Sequence, residues 1–149
     1  MLKKILLADD LSKRAHHALE LALDVSRKFS AELIILNVRE DFLNKDEMIM
    51  LRVDVSRFQE NLKEKALQIR QHIQQDIESL RGTDVSYSVL LREGKPAQQI
   101  VEMAKEISAD LVVLGSHGRS LLKDKLLGST AEEVVLKVRC HILVAWTRD

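Results

Sequence analysis

The sequence predicts an α/β fold: one five-stranded parallel β-sheet with helices on both faces. Two observations carry this. Five short apolar runs alternate with longer stretches of helical periodicity along 149 residues. Four of the five runs are continuous rather than alternating in polarity, as expected of parallel strands covered on both sides. The resulting order, β-α-β-α-β-α-β-α-β, is that of parallel strands joined by helical crossovers.

Taken in order, the runs are Ile5 to Ala8, Leu33 to Val38, Val85 to Leu91, Leu111 to Leu114 and Ile142 to Trp146. The third differs from the rest. Val85, Tyr87, Val89 and Leu91 alternate with Ser86, Ser88 and Leu90, a pattern suited to a half-exposed sheet edge. Between the runs, Ala15, Ala18, Ala22, Val25 and Phe29 recur at three- and four-residue steps, as one helical stripe does. A longer stripe runs from Phe58 through Leu62, Ala66, Ile69, Ile73 and Ile77 to Leu80. Ile100, Val101, Ala104 and Ile107 form a third, with Pro96 near its first turn, and Val134, Val135 and Val138 mark a fourth. Residues 40–56 carry charges around Met48-Ile49-Met50-Leu51 and read as a surface excursion.

The length suits one domain, 1–149, with no internal repeat or linker. Lys plus Arg equals Asp plus Glu at 23 each. A balanced charge argues against a nucleic-acid or anionic-membrane binder, which relies on clustered positive charge. Cys140 is the single cysteine, so no intrachain disulfide can form, which points to a reducing compartment. The apolar run after Lys3-Lys4 is only four residues long before Asp9. A secretory leader needs roughly 7–15, so the expectation is a buried strand and a cytoplasmic protein.

Candidate chemistry gathers after the fourth run. Gly115-Ser116-His117-Gly118 and Gly128-Ser129-Thr130 hold three of the chain's five glycines. Glycine lets backbone N–H groups face an anion without a Cβ between them. A helix opening at Gly128-Ser129-Thr130 would add its dipole and free N–H groups, which favour phosphate. The same residues also fit a plainer role, in which the glycines turn the chain and Ser129, with Glu132, forms a capping box. Composition alone leaves both open.

The spacing Gly115-x2-Gly118-x9-Gly128-Ser129 resembles the G-x2-G-x9-G-[S/T] signature of ATP-binding universal stress proteins. Lys4 to Ala8 with Asp10-x-Ser12, Ala31 to Val38, Gly94-Lys95-Pro96 to Ile100, and Ala109 to Gly118 are similar to further segments of that family, so the likeness spans nearly the whole chain. The resemblance implies a doubly wound, Rossmann-like domain with strand order 3-2-1-4-5 and a site between strands one and four. It implies an adenine nucleotide, ATP with Mg2+ as companion ion, and a stress-response role. The phosphate role carries over to Gly115, Gly118, Gly128, Ser129 and Thr130. Adenine and ribose contacts map onto Ala8, Asp10, Val38 and Leu114.

Two positions depart from the family pattern. Ala8 stands where a proline is common, and Asp10-Leu11-Ser12 stands where Asp-Gly-Ser is common, although leucine takes a positive φ only at a cost. An alternative reading on the same fold is therefore a nucleotide-free dimeric scaffold or chaperone-like module.

Other candidates read more plainly. Asp9 and Asp10 could pair as acid/base groups or as metal ligands, but a ribose contact for Asp10 and a solvated Asp9 are expected. His117 could touch phosphate or act as a base, but a solvent-facing or loop-bracing role is expected; Arg119, Lys123 and Lys125 fit phosphate neutralisation and a solvated loop face equally. His16, His17 and His72 lack partners at metal-ligand spacing, and Cys140 reads as a small buried thiol. No residue stands out as catalytic or metal-ligating, and no Walker A or G-x-G-x-x-G pattern occurs. The expectation is a nucleotide holder with, at most, slow ATP hydrolysis. In the implied strand order the fifth strand is an edge without charge or proline, so a homodimer joined there is expected.

Overall fold

A computed structural model of the chain describes residues 1–40, 55–117 and 126–147, with residues 55–58 as backbone only. The element order is β1 (Lys4–Ala8), α1 (Lys13–Phe29), β2 (Glu32–Arg39), α2 (Val55–Ser79), β3 (Tyr87–Glu93), α3 (Pro96–Glu106), β4 (Leu111–Gly115), α4 (Ser129–Lys137) and β5 (His141–Ala145). The sheet runs β3-β2-β1-β4-β5, and every neighbouring pair is parallel. The expected α/β fold and strand order are both present.

Strand parity divides the core. Ile5, Leu7, Leu33, Ile35 and Val113 face one way and meet Leu19 and Leu23 of α1 with Ile69, Ile73 and Ile77 of α2. Leu6, Ile34, Leu36, Val112 and Leu114 face the other way, onto Ile100 and Met103 of α3 and Val134 of α4. In register, Leu6 sits between Ile34 and Val112, so each central residue is covered on every side. Ile5, Leu6 and Leu7 are fully buried, each worth about 1.5–3 kcal/mol relative to exposure. This is why the central runs are continuous in the sequence.

Local signals set the helix ends. Ser12 caps α1 by accepting from the Ala15 N–H at 3.1 Å, and α1 stops at Ser30, which turns left-handed at φ 50°. Pro96 opens α3 at a position whose N–H would have no helical partner. The Asp110 carboxylate accepts from the Lys3 and Lys4 N–H groups at 2.8 and 2.9 Å. That joins the starts of β1 and β4, and these bonds hold the carboxyl below its usual range.

Several expectations are corrected at the periphery. The third strand begins at Tyr87, with Val85 buried just before it. Phe29, taken as part of the α1 stripe, is half-exposed because it lies in the last turn, beyond the sheet it would cover. Val135 is likewise exposed on α4, and Trp146 falls outside β5. Cys140 is only part-buried, and desolvation raises its thiol pKa. Residues 41–54 lie outside the described residues, so most of the expected excursion at 40–56 does too. Among the described residues no helix is long and apolar enough to cross a membrane.

Candidate functional site

Strands β1 and β4 are neighbours, yet the chain leaves β1 toward β2 and leaves β4 toward β5. Their crossovers therefore depart in opposite directions, which opens a crevice beyond their carboxyl ends. A cavity of about 680 Å³ lies there, a size typical of small-molecule sites.

Eight of the nine residues expected to contact nucleotide line this cavity: Ala8, Asp10, Val38, Leu114, Gly115, Gly128, Ser129 and Thr130. They come from four separated stretches of chain, and the fold brings them together. The ninth, Gly118, lies outside the described residues, as do Arg119, Lys123 and Lys125.

The geometry of the glycines bears on their role. Gly128 adopts φ −64° and ψ 157°, which any residue can take. The one glycine at positive φ is Gly94, among the described residues. A Cβ added to Gly115 would meet its nearest neighbour, the His117 carbonyl, at an ordinary 3.4 Å. The turn thus does not require glycine at 115 or 128 by conformation. The expected capping box is also absent. Gly128, not Ser129, occupies the N-cap of α4 and makes no side-chain cap bond. Ser129 falls one residue too late, inside the helix.

The N-terminus of α4 consequently opens on the cavity. The Glu132 N–H makes the first helical bond, to the Gly128 carbonyl at 2.9 Å. The N–H groups of Ser129, Thr130 and Ala131 precede it and have no acceptor within the helix. All three residues line the cavity. The Gly128 N–H donates to the Ser116 carbonyl at 2.6 Å, and the Ser116 N–H donates to Ala145 at 3.0 Å. Both ends of the long loop are thereby tied to the sheet edge. At this junction His117 Nδ1 lies 3.3 Å from Ser116 Oγ, and the ring meets Trp146 edge-on at 6.4 Å between centroids. It also lines the cavity.

The opposite wall is the β1–α1 turn. Leu11 does take a left-handed conformation, at φ 67°. The Asp9 carboxylate accepts from its N–H at 2.9 Å, and Asp10 accepts from the Ser12 N–H at 3.0 Å. The Leu11 side chain packs on the α1/α2 core. These contacts offset a backbone cost of about 1–2 kcal/mol.

Asp9 corrects an expectation. It is not solvated but 3% exposed. Burial, aided by the nearby Asp10 and Asp76 carboxylates, pushes its pKa up to about 6, against the Leu11 N–H bond and His72. His16 and His72 both reach Asp76, at 3.7 and 3.3 Å. Among the described residues no group of three or more His, Cys, Asp or Glu could hold a metal ion.

Sequence reasoning left Asp9, Arg39, Glu40, Pro96, Ile100 and His117 off the site, although all line the cavity. Arg39 ends β2 and Glu40 follows it, where the crevice rule already pointed. Pro96 and Ile100 arrive only through the packing of α3 against β2.

The comparisons with known proteins agree with this architecture. The family model described as the universal stress protein family matches residues 1–145. Universal stress protein MJ0577 of Methanocaldococcus jannaschii is 31% identical over 97% of this chain and 94% of its own length. A solved structure of the universal stress protein UspA from Lactobacillus plantarum superposes with a TM-score of 0.79, covering 97% of each chain at 23% identity. A universal stress protein in complex with cAMP superposes at 0.71, with 99% of this chain and 98% of that chain covered at 20% identity. The chain belongs to the universal stress protein family.

Proposed function

We propose that the protein is a stress-response regulator that binds an adenine nucleotide, ATP in the first instance, in the cavity between β1 and β4. The observation that carries this reading is the pair Gly115 and Gly128. Both line the cavity at backbone angles that do not call for glycine, beside a helix N-terminus without a side-chain cap. Missing side chains, rather than unusual turns, are what close approach of a phosphate needs. Gly128, Ser129 and Thr130 would hold phosphate, with Gly115 and Gly118 beside them. Ala8, Asp10, Val38 and Leu114 would border the adenosine. The relative solved with cAMP supports an adenine nucleotide in this fold. With no resident metal cluster among the described residues, Mg2+ would enter carried by the phosphates. We place the protein in the cytoplasm, as a homodimer joined along β5.

The test is Gly128→Val. Its φ and ψ suit valine, so the apo protein should lose about 1 kcal/mol at most, the preference of an N-cap for glycine. ATP affinity, measured by calorimetry, should fall at least tenfold, about 1.4 kcal/mol. Unchanged affinity removes the phosphate role.

A further inference from the structure

On the α1/α2 side of the sheet, behind the cavity, lies a polar cluster that nucleotide binding as described above does not use. Asp9 continues the parity of Ile5 and Leu7, which face α1 and α2. Its Oδ1 accepts from Leu11, but its buried Oδ2 has no hydrogen-bond partner among the described residues. Beside it, the Asn37 amide donates to the Asp9 carbonyl at 2.8 Å, and the buried Asn37 Oδ1 also lacks a partner. Two orphaned acceptors in one buried patch are costly. A proton on Oδ2 would convert one of them into a donor and leave Oδ1 to hold Leu11.

We propose that Asp9 is a proton-linked regulator of the nucleotide site: binding of an adenine nucleotide draws a proton onto its carboxyl group, so that affinity rises on acidification. The inference rests on the nucleotide reading above. Asp9 lines the cavity. A ligand there excludes water and brings phosphate charge toward a carboxylate that is already desolvated. Both effects favour the protonated acid. By linkage, protonation then favours the ligand to the same degree.

The surrounding charges set the starting point. Asp10 in the same turn and Asp76 on α2 favour proton uptake, whereas His72 on α2 opposes it. From α1, His16 reaches Asp76 rather than Asp9. From β2, Asn37 is neutral, with Arg39 two residues beyond. From β4, Gly115 and Ser116 carry no charge. The result is a carboxyl poised at about 6, where cytoplasmic acidification would act on it.

The experiment compares ATP binding by wild type and Asp9→Asn from pH 5 to pH 8, with proton uptake measured by calorimetry in two buffers of different ionisation enthalpy. Titration of the ATP phosphates is common to both proteins and cancels. A further rise of one pKa unit on binding gives wild type about tenfold more gain in affinity on acidification than the variant. Equal pH dependence in the two proteins overturns the proposal. Should the variant fold poorly, carbon NMR of the Asp9 carboxyl in wild type decides. A higher midpoint in ATP-saturated than in free protein supports the proposal, and coincident midpoints overturn it. ATP that binds while Asp9 stays silent refutes this inference alone, whereas failure of ATP to bind wild type at any pH refutes the nucleotide reading and this inference with it.

Discussion

Asp9 and Leu11 show how a turn can be held by groups that each cost stability. The folded pKa of Asp9, about 6, lies above its ordinary 3.8. Between those values the folded protein holds more protons than the unfolded chain. Stability contributed by the neutral acid is therefore present below pH 4 and is lost as pH rises through 6. Asp9→Asn removes the ionisation and should raise stability at pH 7.5 by up to about 3 kcal/mol, with little gain at pH 4. Urea unfolding at the two pH values checks this; equal gains at both would point to packing instead. At Leu11, φ 67° is tolerable for leucine but worse for a β-branched side chain. Leu11→Val should cost about 1–2 kcal/mol, whereas Leu11→Gly, which relieves strain and forfeits core contact, should change stability by less than about 1 kcal/mol. Both are read from denaturant midpoints at constant slope.

The two helices that begin beside the site are started differently. Ser12 caps α1 with its side chain, but α4 begins at Gly128 with no side-chain cap. Capping serines and site serines can therefore be separated by experiment. Ser12→Ala should lower thermal stability by about 1 kcal/mol, within a 0.5–2 kcal/mol range. Ser129→Ala should leave apo stability nearly unchanged and register instead in nucleotide affinity. A comparable loss of apo stability in both variants would restore a capping role to Ser129. The sequence does not distinguish them, because both serines follow a loop and precede an apolar stripe. The difference is a one-residue shift in where the helix starts, at Gly128, whose N–H donates to the Ser116 carbonyl.

Across the whole molecule, the two sheet edges are unequal. β3 presents Ser88 and Glu93 outward, and Arg92 pairs with Glu106 of α3 at 2.6 Å. β5 exposes parts of Ile142, Leu143 and Val144, and Trp146 just beyond it is exposed. An uncharged edge strand is a template for pairing, so the homodimer proposed here would bury β5 against its symmetry mate. Val144→Lys sets like charges facing across the twofold and should turn a micromolar dimer into a monomer in sedimentation. A monomeric wild type, or a mutant as dimeric as its parent, would move the interface elsewhere.

The sequence by itself determined the five strands and four helices of the described residues, because each is written in local spacing. Leu6 is apolar because both sheet faces are covered, and Pro96 stands at a helix start because its missing N–H costs nothing there. The family spacing then indicated which residues would meet. The tertiary structure alone decided what each polar group faces. Asp9 and Asp10 are identical neighbours in the sequence, yet strand parity turns Asp9 into the α1/α2 interior while Asp10 stays part-exposed on the cavity wall. His72 and Asp76 are neighbours one turn apart on α2, but His16, far away in the sequence, joins them only when α1 packs beside α2. Burial and proximity between distant segments decide what Asp9 and His16 face, and neither quantity has a local signature.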